Sequence, residues 1–189
     1  MSDDLRTRVV RPADADDPRL RADLLRTWVD VSEAGGSVGF VPPVDPAAVA
    51  GRLDDLLARV RDDVDTLVVL EDGPDGPDAA GEPPRAVGMA VLQAGGGGLT
   101  AHWRTLVRLM VAPALQGRGA GRRLLDAAHG AARDLGLEHL ALTVRGGEGL
   151  EAFYGAAGYV VVGRQPSALR VGGEDRDEVR MWRALRPGR

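Results

Sequence analysis

The segment "QGRGAG", Gln116 to Gly121, has the residue types that suit anion binding. It follows an apolar run, "LVRLMVAP", and precedes "RRLLDAAHGAARDLG", whose alanine and leucine spacing is typical of a helix. The first N–H groups of a helix have no intrahelical partner and carry partial positive charge, so this junction suits a phosphate. Gly119 and Gly121 would let the backbone approach the anion closely. Charge-assisted contacts would come from three arginines, Arg118, Arg122 and Arg123.

The spacing of the glycines excludes two familiar phosphate sites. A P-loop would end in GK[ST], and the Rossmann fingerprint would read G-x-G-x-x-G, but neither pattern is present here. We therefore expect a pyrophosphate that binds without magnesium chemistry.

The elements around this segment predict one alternating α/β domain over residues 1–189. Helices are indicated at "DPRLRADLLRTWVDVSE", after Asp45-Pro46, after the glycines and at "EGLEAFYGA". The strand "TLVRLMV" is apolar on both faces, so we expect it to be central and covered on both sides. The helix after the glycines should bury one face, made of Leu124, Leu125, Ala128, Ala132 and Leu135. The other strands are expected at "TRVVRP", "TLVVLED", "RAVGMAVLQA", "HLALTVR", "YVVVGR" and "EVRMWRAL".

Composition excludes several function classes. The chain has 189 residues, no cysteine and no lysine, which removes thiol nucleophiles, zinc-thiolate sites and Schiff-base chemistry. Three histidines, His102, His129 and His139, are scattered without carboxylates at metal-ligand spacing, so no metal site is expected. A net charge of -4 disfavours a nucleic-acid partner. No apolar run is long enough for a membrane helix and the polar start does not resemble a signal peptide, so we expect a cytoplasmic protein.

Two motifs together resemble a known family. "LMVAPALQGRGAGRRLL", followed downstream by "EAFYGAAGY", is similar to the GCN5-related N-acetyltransferase (GNAT) superfamily, with its [QR]-x-x-G-x-[GA] motif after the fourth strand. The segments "GGSVGF" and "LVRLMVAP" also resemble the tabtoxin-resistance branch. The resemblance implies a mixed, mostly antiparallel, splayed sheet of six to seven strands with helices on both faces, and acetyl-CoA in the cleft between its two halves.

The same resemblance implies roles for individual residues. Backbone groups of Met110 and Val111 would pair with the pantetheine arm, and Tyr154 matches the family's general-acid tyrosine. The pyrophosphate would be cradled by Gln116, Gly117, Arg118, Gly119, Ala120, Gly121 and Arg122. No metal is implied. A small-molecule amine is the expected acceptor, and the protein is expected to be a monomer or homodimer.

The chemistry of acetyl transfer can be argued separately. The amine attacks the thioester, the oxyanion needs a donor such as the Val111 N–H, and the leaving thiolate needs a proton or a hydrogen bond, for which Tyr154 is suited. A thiol titrates near ~8.5 and tyrosine near ~10, so we expect hydrogen bonding first and proton transfer late.

The general base is left open. Thr105 and Thr143 stand where the tabtoxin-resistance branch has acidic residues, and Gly147 stands near the family's asparagine. The remaining candidates are His102, Glu148, Glu151 and a chain of water molecules.

Two alternative functions remain at this stage. "GGSVG" fits the G-x-S-x-G elbow of serine hydrolases, with Ser37 as nucleophile, but an elbow needs a strand before it and a helix after it. We instead expect this loop to line the acceptor site, with Phe40 packing on substrate or core. A catalytically idle acyl-CoA sensor is the other alternative.

Five carboxylates could attract a cationic amine, namely Glu71, Asp72, Asp75, Asp78 and Glu82.

Overall fold

The computed structural model describes residues 5–73 and 83–185. The described chain contains four α-helices and seven β-strands. The helices are α1 (Pro18–Glu33), α2 (Pro46–Arg61), α3 (Ala120–Asp134) and α4 (Leu150–Gly155). The strands are β1 (Leu5–Val9), β2 (Thr66–Asp72), β3 (Arg85–Ala94), β4 (Trp103–Val111), β5 (His139–Arg145), β6 (Val160–Val171) and β7 (Glu174–Ala184).

The described strands form one seven-stranded sheet in the order β1-β2-β3-β4-β5-β7-β6. The pairs β1–β2, β2–β3, β5–β7 and β6–β7 are antiparallel, whereas β4 and β5 pair in parallel. The predicted α/β fold with a mixed sheet is therefore confirmed, and β4 is its central strand. β4 is less completely covered than the sequence predicts, because Val107, Arg108 and Leu109 are only half-buried whereas Leu106, Met110 and Val111 are buried.

The first two helices begin where the sequence predicts. Asp17 caps α1 by accepting a hydrogen bond from the Arg19 N–H, and Asp45 caps α2 in the same way through the Ala47 N–H. Each cap is followed by a proline, whose missing N–H would have no helical partner in any case. The two aspartates therefore fix the starts of α1 and α2.

The chain forms two compact units. The first comprises the described parts of Met1–Leu92 and Arg108–Ala131, and the second those of Gln93–Val107 and Ala132–Arg189. The first unit buries Leu24, Trp28, Leu53, Leu67, Leu70, Met89, Leu92, Leu124 and Leu125, and the second buries Leu140, Leu142 and Met181. That residues 1–189 form a single domain stays a prediction.

The face of α3 is mostly as predicted. Leu124, Leu125, Ala128 and Ala132 are fully buried, but Leu135 is 46% exposed. The helix ends at Asp134, and Gly136 adopts a left-handed φ of +74°, which turns the chain after Leu135 and brings Leu137 into the core instead.

The closing hairpin is longer than predicted. The sequence indicated strands only at "YVVVGR" and "EVRMWRAL", whereas β6 runs to Val171 and β7 starts at Glu174. Gly172 and Gly173 both have a left-handed φ and make a two-residue turn. Pro166 and the charged residues of this segment disfavour a strand locally, and pairing with the partner strand overrides that preference.

Candidate active site

The glycine segment forms the connection between β4 and α3. Gly117 and Gly119 adopt left-handed φ values of +72° and +83°, which side chains rarely adopt. A Cβ built at either position would meet no atom within 4 Å, so the backbone here is open to an approaching group. Gly121, which sequence analysis paired with Gly119, lies inside the first turn of α3. The two glycines that shape the loop are therefore Gly117 and Gly119.

Gln116 anchors this loop to the end of the central strand. Its side-chain Nε2 donates a hydrogen bond of 3.0 Å to the Val111 carbonyl oxygen. Sequence analysis placed Gln116 in the anion cradle, but this bond gives its side chain a local structural partner. The Val111 carbonyl is correspondingly occupied by a group of the chain itself.

The arginines around the loop differ in their ion pairing. Arg122 pairs with Asp126 one turn along α3, at 3.0 Å. Arg118 and Arg123 are exposed, and no carboxylate in the described part of the chain pairs with them. Because an exposed arginine readily reaches a phosphate, Arg118 and Arg123 can supply charge-assisted contacts at the start of α3.

Met110 and Val111 are buried at the end of β4, with exposed fractions of 3% and 4%. The adjacent Ala112 N–H donates to the Val87 carbonyl at 2.8 Å. A Cβ at Gly88 would stand 2.9 Å from the Met110 carbonyl oxygen, which is too close for any side chain. Gly88 therefore allows β3 and β4 to approach closely and fixes the backbone of Met110.

Tyr154 is a buried residue of α4 and lies in an aromatic cluster. Its ring centroid is 5.0 Å from that of Phe153 and 5.6 Å from that of Tyr159, both with edge contacts. Its carbonyl oxygen accepts hydrogen bonds from the Ala157 and Tyr159 N–H groups, so the turn after α4 holds its backbone. Burial raises the pKa of the Tyr154 phenol to about 12, because the phenolate would be poorly solvated.

The candidate bases have different environments. Glu148 pairs with Arg145 at 2.8 Å, and Glu151 pairs with Arg164 at 2.7 Å, so each carboxylate already has a cationic partner. The His102 side chain is exposed, with its ring centroid 6.2 Å from that of His139.

The three positions that depart from the family pattern supply no acid or base. Thr105 is half-buried and Thr143 is exposed, and Gly147 has a φ of +85° in the loop before α4.

The loop that contains Ser37 lies between α1 and α2 and follows a helix. The elbow of a serine hydrolase needs a strand before the serine, and α1 occupies that place. The loop is held to α1 through Trp28, whose Nε1 donates to the Val38 carbonyl at 3.0 Å and whose ring has an edge contact with Phe40 at 5.7 Å. The expected packing of Phe40 on the core is thus present.

Glu71 belongs to the five carboxylates predicted to attract a cationic amine, but its own charge is taken up within the chain. This side chain is buried and accepts hydrogen bonds from Arg6 at 3.1 Å and Arg8 at 2.9 Å, so its charge is already compensated. Asp72 is exposed at the end of β2. The other three predicted members, Asp75, Asp78 and Glu82, lie outside the described residues.

Within residues 5–73 and 83–185, no group of three or more histidine, aspartate or glutamate side chains is arranged to hold a metal ion. In the same ranges, no helix is both long enough and apolar enough to cross a membrane.

Arg108 is a further residue of this region that is not among those predicted from the sequence. It lies on β4 with its guanidinium over the ring of Trp28, 5.1 Å from the ring centroid. The signal was an arginine inside the apolar run "TLVRLMV", but a charged residue in a strand more often faces solvent.

Comparison with known proteins supports the resemblance. A family model described as "Acetyltransferase (GNAT) domain" matches residues 82–168. A search of curated proteins finds no match.

Many solved structures share the fold. A protein described as a candidate phosphinothricin N-acetyltransferase has a TM-score of 0.74 at 17% identity, covering 97% of this chain and 99% of its own. YncA, a candidate acetyltransferase from Salmonella typhimurium solved with its cofactor acetyl-CoA, has a TM-score of 0.72 at 18% identity, with coverages of 98% and 96%. Ribosomal-protein-alanine N-acetyltransferase from Brucella melitensis has a TM-score of 0.69 at 21% identity, with coverages of 95% and 99%.

The fold, the matched segment and the left-handed glycine loop before α3 agree with one another. Residues 82–168 of this chain match the GNAT acetyltransferase domain model, and the chain shares its fold with solved acetyltransferases.

Proposed function

We propose that this protein transfers the acetyl group of acetyl-CoA to a primary amine of a small molecule. The amine nitrogen attacks the thioester carbonyl carbon, so that a C–N bond forms and a tetrahedral oxyanion develops. The C–S bond then breaks and coenzyme A leaves as a thiolate. One proton leaves the amine and one reaches the thiolate.

The observation that carries this proposal is the backbone of Gly117 and Gly119 at the β4–α3 junction. Both residues leave open space where a side chain would stand, and the loop is held by the bond from Gln116 to Val111. The adjoining N–H groups at the start of α3 suit a pyrophosphate, and Arg118 and Arg123 add positive charge without carboxylate partners among the described residues. These features fit the diphosphate of acetyl-CoA.

Roles at the reacting atoms follow from the chemistry. The Val111 N–H is proposed to stabilise the oxyanion, as a backbone donor at a fixed strand end. Tyr154 is proposed to stabilise the thiolate by hydrogen bonding. With a pKa of about 12, its phenol stays protonated at neutral pH and remains a hydrogen-bond donor.

Removal of the amine proton is assigned to water or to His102. Glu148 and Glu151 are each engaged in an ion pair with an arginine, so neither carboxylate is assigned this role. The His102 imidazole is exposed, and histidine is the side chain that most often serves as a general base.

The small-molecule acceptor is supported by the loop between α1 and α2. Val38 is buried, Phe40 packs on Trp28, and the Trp28 indole bonds to the loop backbone. Because the side chains of this loop pack against α1, we take the loop to favour a compact acceptor over an extended peptide. The names of the structural relatives include both a small molecule and a ribosomal protein as acceptor, so they do not decide the matter.

The test is thiol release from acetyl-CoA by the purified protein across a panel of small primary amines. We expect acceptor-dependent release above the hydrolysis measured without amine, and a product whose mass has increased by one acetyl group. Tight acetyl-CoA binding without any acceptor-dependent release would instead support an acyl-CoA sensor. Ester hydrolysis that is lost in Ser37→Ala would support a serine hydrolase.

A further inference from the structure

Arg108 has a backbone conformation that is unusual for its residue type. Its φ is +54°, in the left-handed region, although it lies within the central strand β4. In the described ranges only Asp63 and Ser167 share a left-handed φ without being glycine. Long side chains are disfavoured there because Cβ crowds the backbone, and such strain persists only where the surroundings enforce it.

The surroundings of the Arg108 side chain fix its position. The guanidinium lies over the ring of Trp28, which is only 1% exposed and is held by its hydrogen bond to the Val38 carbonyl. On another side lies Gly39, with a left-handed φ of +101°. A Cβ at Gly39 would stand 3.1 Å from both Cζ and Nη2 of Arg108. The loop between α1 and α2 is therefore shaped around this guanidinium.

The charge of Arg108 is not compensated within the described part of the chain. No carboxylate there pairs with it, whereas Arg6 and Arg8 share Glu71, Arg21 pairs with Asp54 and Arg59 pairs with Asp65. Burial first, and then the charge of Arg52 on α2, lower the pKa of Arg108, but a guanidinium remains protonated in proteins. A half-buried cation without a carboxylate partner is unfavourable unless an anion binds to it.

We propose that Arg108 binds an acidic group of the acceptor, so that the acceptor is an amino acid with a free amine and a carboxylate. This inference rests on the proposed acetyl transfer. The diphosphate of acetyl-CoA is proposed to bind the loop around Gly117 and Gly119, so we assign a separate anion to Arg108. A guanidinium binds a carboxylate through two parallel N–H···O bonds, and stacking on Trp28 holds its plane in one orientation.

The experiment compares twenty common L-amino acids with their amides as acceptors, following thiol release from acetyl-CoA. Arg108→Gly removes the guanidinium and places at this position the residue that adopts a left-handed φ without strain, which opposes the loss of stacking on Trp28. The unfolding temperature of the variant is measured alongside to establish that it is folded. Arg108→Lys keeps the charge but loses the planar, two-bond contact. Arg21→Gln is the matched control, because it removes an arginine of α1 whose exposed ion pair with Asp54 of α2 has no proposed role in binding.

Converting the carboxylate to an amide also lowers the basicity of the neighbouring amine. The wild-type ratio of kcat/KM for an amino acid and its amide is therefore not the criterion. The criterion is how much the Arg108 substitution changes kcat/KM for each member of the pair. We expect Arg108→Gly to lower kcat/KM for the amino acid by roughly 10- to 150-fold, the range for losing a charge-assisted hydrogen bond, mainly through KM. The amide should be used equally well by both proteins. Arg108→Lys should recover part of the loss, and Arg21→Gln should behave as wild type.

Several results would overturn the inference while leaving acetyl transfer intact. These are turnover of uncharged amines only, equal losses for acid and amide, and a loss of acetyl-CoA affinity in Arg108→Gly, which would assign the guanidinium to acetyl-CoA. Failure of the wild type to bind acetyl-CoA would overturn the proposed function itself, and this inference with it.

Discussion

Replacing Tyr154 with phenylalanine removes one hydroxyl from a buried aromatic cluster and leaves the ring contacts with Phe153 and Tyr159 in place. If the phenol stabilises the leaving thiolate, acetyl-CoA affinity should change little while turnover falls. The size of the fall depends on whether the phenol gives up its proton or only shares it.

The raised pKa decides between these two modes. A phenol with a pKa of about 12 and a thiol near ~8.5 differ by roughly 3.5 pK units, so full proton transfer would cost about 5 kcal/mol. This cost favours hydrogen bonding without transfer. A hydrogen bond to a charged group contributes about 1.5 to 3 kcal/mol, which corresponds to a loss of roughly 10- to 150-fold in kcat for Tyr154→Phe.

The assay measures initial rates of thiol release with saturating acceptor from pH 7 to 10. Because the phenol stays protonated throughout this range, both proteins should show rates that rise as the amine loses its proton, without a falling limb due to Tyr154. Tyr159→Phe is the matched control, since it removes a neighbouring buried phenol to which no chemical role is assigned, and it should keep turnover near that of the wild type.

Two results would refute this reasoning. A wild-type rate in Tyr154→Phe across the whole range would make Tyr154 a structural residue only. A falling limb below pH 10 that disappears in Tyr154→Phe would show that the phenol ionises far below its expected pKa and acts as a true acid.

Two further predictions concern stability and the loop between α1 and α2. Because burial raises the folded-state pKa of Tyr154 from 10 to about 12, its contribution to stability is fully present below pH 10 and is lost as the pH rises through 12. Denaturant titrations of wild type should therefore lose up to about 2.7 kcal/mol more than those of Tyr154→Phe over this interval, and parallel losses would contradict the burial of the phenol. Ser37→Ala should retain most acetyl transfer in the thiol-release assay, and complete loss would place Ser37 in the chemistry.

The parts of the fold that sequence could predict are those with local causes. Asp17 and Asp45, each before a proline, mark helix starts through bonds to backbone N–H groups two residues away. The length of the β6–β7 hairpin has a non-local cause, because its strands gain their hydrogen bonds from each other despite Pro166. In the sequence, only the Gly172-Gly173 pair indicates this hairpin, because two glycines are typical of a tight hairpin turn.

In the candidate site, too, features with a local cause can be predicted from the sequence and features with a non-local cause cannot. Gly119 is predictable because a glycine between a strand and a helix suits a left-handed turn, although the structure assigns the second such φ to Gly117 rather than Gly121. The compensation of Glu71 by Arg6 and Arg8 is invisible in sequence, since about 65 positions separate these residues. The position of Arg108 over Trp28 likewise depends on packing between distant segments.

Calorimetric titration of acetyl-CoA into Gly119→Asp tests whether the loop around Gly117 and Gly119 binds the diphosphate of acetyl-CoA. The added carboxylate would repel phosphate in a loop that is otherwise open. Gly173→Asp is the matched control, because Gly173 has a φ of +85° against +83° at Gly119 and equally open surroundings in the β6–β7 turn. We predict that Gly119→Asp weakens binding at least tenfold, or by about 1.4 kcal/mol, while Gly173→Asp binds like the wild type. Equal affinity of Gly119→Asp and wild type would contradict the assignment.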